Sequence, residues 1–105
     1  MHARVTTYEN VDLALFDEVQ RWMESLTENP FAGLPGYAGS MTLVDRDNAR
    51  LVGIGFYESA GHASEAEAIL ARMPERAAEV PERIRPALAT RPESIGLYEI
   101  AHRDD

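Results

Sequence analysis

The chain has 105 residues, 45% of them hydrophobic, and 18 acidic against 10 basic side chains give a formal net charge of −8. That length implies one domain, residues 1–105, and the scatter of arginines among glutamates leaves no basic stripe for nucleic acid or an anionic membrane surface. The absence of cysteine excludes disulfides and thiol nucleophiles, the absence of lysine excludes Schiff-base chemistry, and no apolar leader or spanning run appears, so a cytoplasmic protein is expected.

Ala3 to Tyr8 reads as the first strand, with Arg4, Thr6 and Tyr8 on one face and Val5 and Thr7 on the other. A helix follows, capped by Asn10 or Asp12, with Leu15, Val19, Trp22 or Met23, and Leu26 at helical spacing. Trp22, the only tryptophan, has two readings: an anchor of the helix on the sheet, or a wall that stacks on a ligand. Asn29-Pro30 is expected to stop the helix. The loop from Phe31 to Gly39 is rich in glycine and proline, and its Leu-Pro-Gly-Tyr turn delivers Tyr37 to the second strand as a plug of the sheet's end or as a pocket wall.

Met41 to Val44 and Leu51 to Phe56 flank the polar cluster Asp45 to Arg50, the pattern of a hairpin. On the second of these strands Val52, Ile54 and Phe56 make one face bulky, while Gly53, Gly55 and Tyr57 leave the other hollow. The hollow face either houses a flat aromatic ligand, with Tyr57, Tyr37 and Trp22 as walls, or admits a closely packed helix. Ser59 to Gly61 breaks the strand, and Ser64 with Glu67 reads as the capping box of a brief second helix striped by Ala66, Ile69, Leu70 and Met73 and ended or kinked by Pro74. Pro81, Pro86 and Pro92 divide the next segment into one or two short helical pieces, with Arg76, Glu79, Glu82, Arg83 and Arg85 forming a charged, exposed surface. Ile95 to Ala101 is the last strand, and His102 to Asp105 a frayed tail.

The order β-α-β-β-α-β is α+β and ferredoxin-like, an antiparallel sheet with both helices on one face. Because the third and fourth strands carry apolar residues on both faces, one sheet face is left for a partner, and a homodimer closing as a dimeric α/β barrel is expected.

Pro-Gly-Tyr before the second strand, Leu-Val-Asp-Arg-Asp in the hairpin, Phe-Tyr-Glu-Ser closing the third strand and the final Ile-Gly-Leu-Tyr-Glu-Ile-Ala together resemble the antibiotic biosynthesis monooxygenase-like proteins of the dimeric α/β-barrel superfamily. The resemblance covers almost the whole chain and implies that fold; for activity it spans cofactor-free oxygenases, haem-degrading enzymes and uncharacterised members. Such proteins often close the third strand with Trp-Glu-Ser, where this chain has Tyr57-Glu58-Ser59. The quinone-forming oxygenases pair that tryptophan with an asparagine four residues earlier, where this chain has Gly53. The haem-degrading branch uses an asparagine in the first strand and a histidine in the second helix; this first strand has no asparagine and Glu67 occupies the histidine's place, which argues against haem breakdown.

Two functions remain open. The first is a cofactor-independent monooxygenase acting on an aromatic polyphenol or hydroquinone, which needs only a dry pocket, a base and an oriented phenolate. Tyr57 and His62 are its catalytic candidates; Trp22, Tyr37, Arg4, Gly53 and Gly55 are its ligand-binding candidates, with Arg4 facing a negative charge. Histidine as a residue type suits a base at neutral pH, so His62 is a candidate base, or is merely a loop histidine; Arg4 alternatively forms a salt bridge with a neighbouring acid. His2 and His102 can meet across paired terminal strands but lack an aligned carboxylate, so no metal site and no cofactor are expected. The second function is a non-catalytic ligand-binding or structural dimer of the same fold, favoured by the missing asparagine and tryptophan.

Overall fold

The computed structural model describes residues 1–27, 29, 31–72 and 79–104. Its elements are β1 (His2–Tyr8), α1 (Leu13–Ser25), β2 (Tyr37–Asp45), β3 (Arg50–Tyr57), α2 (Ala60–Leu70), a 3-10 segment (Glu82–Ala89) and β4 (Ser94–Glu99). The strands form one antiparallel sheet in the order β2-β3-β1-β4, the ferredoxin-like arrangement read from the sequence. The expected stop at Pro30, the stripe residue Met73, the break at Pro74 and the surface residue Arg76 lie outside the described residues. Among the described residues no helix is long and apolar enough to cross a membrane.

The polar cluster between β2 and β3 makes a turn because Asp45 caps it: its carboxylate accepts from the Asn48 N–H at 3.3 Å and from the Asn48 amide at 2.8 Å. Register then fixes what shares a face. Arg4 stands between Gly55 and Leu97, Thr6 between Gly53 and Ile95, and Tyr8 opposite Leu51. On the far flank of β3, Ser40 and Thr42 oppose Gly55 and Gly53. Directly opposed residues project to the same side of a sheet, so these side chains form the floor under the helices. Met41, Leu43, Ile54, Phe56 and Tyr98 project from the other side.

The two helices meet this floor differently. α2 is capped by Ser59, whose Oγ accepts from the His62 N–H at 3.2 Å. This corrects the capping box expected at Ser64 and Glu67: the Ser59 hydroxyl, five residues earlier, already satisfies a first-turn donor. Gly61, read as part of a break, lies inside the helix at a modest cost in propensity. α2 sits close to the sheet because Ala63 and Ala66, both 0% exposed, present almost no side chain to Tyr57, with Leu34 and Tyr37 alongside. This small buried cluster lies beside the site.

α1, capped by Asp12 through the Leu15 N–H at 3.1 Å, ends at Ser25 and uses Leu26 as its C-cap rather than as part of the helical stripe. It buries none of its residues. It is held from its margins instead. Arg46 forks onto the Asp17 carboxylate at 3.0 and 3.2 Å, the Arg83 Nε lies 3.5 Å from Glu18, and the Val11 N–H donates to the Ala49 carbonyl at 2.8 Å. The 3-10 segment packs beside it. That segment corrects the expectation of a wholly exposed charged surface: Glu82 and Arg83 are exposed, but Ile84 between Arg83 and Arg85 is 1% exposed and Arg85 is half-buried, donating to the Val80 carbonyl at 3.0 Å.

Candidate functional site

Because α1 stands off the sheet, the space where a core would lie is an open chamber of about 1310 Å³ between the helices and the floor. Its origin is in side-chain size. The middle floor positions of β3 are Gly53 and Gly55, and three of their four flanking neighbours, Thr6, Thr42 and Ser40, are too short to fill the gap; the fourth is Arg4. α1 lines the chamber with the apolar stripe of Phe16, Val19, Trp22 and Met23, and its C-cap Leu26 adds to the same wall. Trp22 is half-buried at this wall, not seated in a helix–sheet core.

The two glycines play different parts. A Cβ at Gly53 would meet nothing within 4 Å, so the floor is open there. At Gly55 a Cβ would lie 3.0 Å from the ring edge and hydroxyl of Tyr57, whose ring leans back along β3 over it. Tyr57 is 2% exposed and meets Tyr37 edge to face, with centroids 6.1 Å apart and planes at 69°. The Tyr37 hydroxyl donates to Ser40 Oγ at 2.9 Å. The result is a slot: an open backbone floor at Gly53, threonines on both edges, and the paired tyrosines as its end wall.

Beside that wall sits Arg4. Its Nη1 donates to Thr6 Oγ1 at 3.0 Å, while its Nε is buried with no hydrogen-bond partner. The salt bridge weighed for Arg4 is replaced by the Thr6 hydroxyl; among the described residues no carboxylate pairs with it. Two phenols feel its charge. Burial pushes the Tyr57 hydroxyl above its ordinary pKa, and the Arg4 guanidinium only partly offsets this; Tyr8 follows the same balance. Both therefore stand protonated at neutral pH, as hydrogen-bond donors.

His62 lies elsewhere. Its Nδ1 is 3.0 Å from Ser59 Oγ, and its ring packs on Gly36, where a Cβ would collide with it and where φ is +65°. It is half-buried in the first turn of α2 and is not among the residues lining the chamber. Sequence reasoning passed over Thr6, Tyr8, Ser40 and Thr42 as chamber residues, although Thr6 and Tyr8 share the strand face of Arg4. It gave Glu67 a capping role and the place of the haem-degrading branch's histidine, but not a part in this site; Glu67 is half-buried on α2 and lines the chamber. Among the described residues no three histidine or acidic side chains gather as a metal site.

Two solved structures are similar over nearly the whole chain. One is a mutant form of SnoaB, a cofactor-independent oxygenase from Streptomyces nogalater: 19% identical, covering 97% of this chain and 94% of that one, TM-score 0.63. The other is the monooxygenase ActVA-Orf6 of Streptomyces coelicolor in complex with the ligand nanaomycin D: 14% identical, covering 98% and 89%, TM-score 0.63. No family model matches the chain, and no curated protein matches it. At these identities the likeness shows the fold, which is the one the resemblance to antibiotic biosynthesis monooxygenase-like proteins implied.

Proposed function

We propose that the protein is a cofactor-independent monooxygenase that binds a flat phenolic or hydroquinone-type molecule over Gly53 and presents it to O2. The observation that carries this reading is the slot: an open glycine floor in an apolar chamber, edged by hydroxyls and closed by Tyr57. The two similar structures, one of them with its ligand, support it at the level of fold.

A phenol with a free para position reacts with O2 to give a quinone and water. One oxygen atom becomes the new carbonyl, the other leaves as water, and the substrate supplies all four electrons. The barrier is lowered by removing the phenolic proton, which makes the ring electron-rich, and by excluding bulk water from the reduced-oxygen intermediate. Of the three carboxylates that line the chamber, Glu24 and Glu79 are exposed and Glu67 on α2 is half-buried, which makes Glu67 the acceptor for that proton. Tyr57, held protonated by burial, donates a hydrogen bond to the developing oxyanion. Trp22 and Tyr37 shape the walls, Gly55 makes room for the Tyr57 ring, and Arg4 supplies positive charge at the slot. His62 enters as the residue that sets the start of α2 behind Tyr57.

The same proposal makes the protein one domain that works as a cytoplasmic homodimer. The outward sheet face exposes Met41 at 47%, Leu43 at 51% and Tyr98 at 58%, and a second copy of this face covers it. The deciding experiment is O2 uptake with a dihydroxynaphthalene by the wild type and by Tyr57→Phe, Glu67→Gln and His62→Ala. Uptake reduced at least tenfold in the first two and largely kept in the third is expected. Binding without any uptake would leave a ligand-binding protein of this fold.

A further inference from the structure

Among the described residues, the charged ones that line the chamber are Arg4 and Arg91 with Glu24, Glu67 and Glu79. Arg4 is the one on the sheet floor, on a central strand, with Nη1 committed to Thr6 and Nε enclosed and unpartnered. A guanidinium keeps its charge at any working pH. Taking it out of water without an anion is unfavourable, and the compensation normally comes from a paired carboxylate. Arg46, Arg50 and Arg83, all more exposed, have such partners. Arg4, where an anion would matter most, has none among the described residues.

We infer that the molecule held over Gly53 is an aromatic carboxylic acid, with its carboxylate on Arg4 and its rings running toward the apolar end of the chamber at Tyr8, Phe16 and Leu51. A planar guanidinium at the chamber lining suits a carboxylate, which accepts two hydrogen bonds from it. The molecule's own phenols serve as a reference against the other available anion, a phenolate. Tyr8 and Tyr57 already stand within reach of the Arg4 charge, and in both burial outweighs it. A phenol bound in the same place meets the same balance and stays neutral until a base acts, whereas a carboxylate, ionised well below neutrality, arrives as the counter-ion. With a net charge of −8 the protein surface does not attract anions at range. Selection for the acid is therefore short-range, at Arg4. For its chemistry this inference rests on the oxygenase reading; for binding it does not.

The test is anaerobic titration calorimetry with a dihydroxynaphthoate and with its methyl ester, on the wild type and on Arg4→Gln. The acid is expected to bind about 10- to 100-fold more tightly than the ester, the range of a charge-assisted hydrogen bond, and the glutamine variant to bring the ratio near one. Arg4→Lys, which keeps the charge and loses the fork, gives an intermediate ratio and serves if the glutamine variant folds poorly. Equal affinities in the wild type, an undiminished ratio in either variant, or no binding of the acid at millimolar concentration overturns the inference. Admitting air separates the two proposals. Arg4-dependent binding of the acid without O2 uptake refutes the oxygenase and leaves the carboxylate site, while uptake without preference for the acid does the reverse.

Discussion

Gly53→Val separates the two ways a hollow strand face can be used. The backbone at Gly53 is outside the left-handed region, which among the described glycines is occupied by Gly36 and Gly39, so a branched side chain is free of strain there. A Cβ would meet nothing within 4 Å, so it does not clash in the empty protein either. Glycine inside a strand costs about 0.5–1 kcal/mol, and a β-branched residue recovers that amount. The empty variant is thus expected to be more stable by about 0.5–1 kcal/mol, a rise in Tm of about 2–8 °C for a chain of this size. A ring resting on the floor lies about 3.5–4 Å above it, the space that the two methyls now occupy. Forcing that overlap costs about 1–3 kcal/mol, or about 5- to 150-fold in affinity. The assay is thermal denaturation paired with calorimetric titration of the dihydroxynaphthoate. A variant that melts lower would mean that a helix closes onto Gly53. Undiminished affinity would mean that the ligand lies elsewhere in the chamber. Either result refutes the slot.

Trp22→Ala distinguishes a chamber wall from a core anchor: a loss below about 1.5 kcal/mol in urea denaturation is expected, against the roughly 3–5 kcal/mol of a buried tryptophan, together with weakened ligand binding. Tyr57 has an ordinary phenol pKa of 10.0 and a higher one when folded, so the fold favours its neutral form. That contribution is intact below pH 10 and lost as pH rises through the folded value, and urea melts across the alkaline range should show a shallower decline for Tyr57→Phe. Phe56→Asp, on the outward face beneath Arg103, whose guanidinium carbon is 4.8 Å from the ring centroid, is expected to convert the proposed dimer to monomer in analytical ultracentrifugation. An intact dimer in that variant would reverse the assignment of the sheet faces to partner and ligand.

What the sequence by itself determined was whatever follows from local period and local chemistry. The alternation of Gly53, Gly55 and Tyr57 against Val52, Ile54 and Phe56 specified the two faces of β3, and Arg4, Thr6 and Tyr8 were already grouped on one side of β1, because successive strand residues point opposite ways wherever the strand is put. The Asp12 cap and the turn at Asp45 were equally legible, since each is a side chain bonding a backbone N–H a few residues away. The start of α2 was misread because Ser59 and Ser64 offer the same local chemistry, and only the position of the helix on the sheet, with Ala63 and Ala66 against Tyr57, chooses between them. Ile84 was hidden for a similar reason: a single apolar residue among charges carries no period, and its burial depends on how its segment packs beside α1. The tertiary structure alone decided that α1 stands clear of the floor, that Tyr57 bends over Gly55, and that Arg4 has no carboxylate partner among the described residues. An empty volume and a missing partner are relations among segments distant in the chain, and no window of sequence contains them.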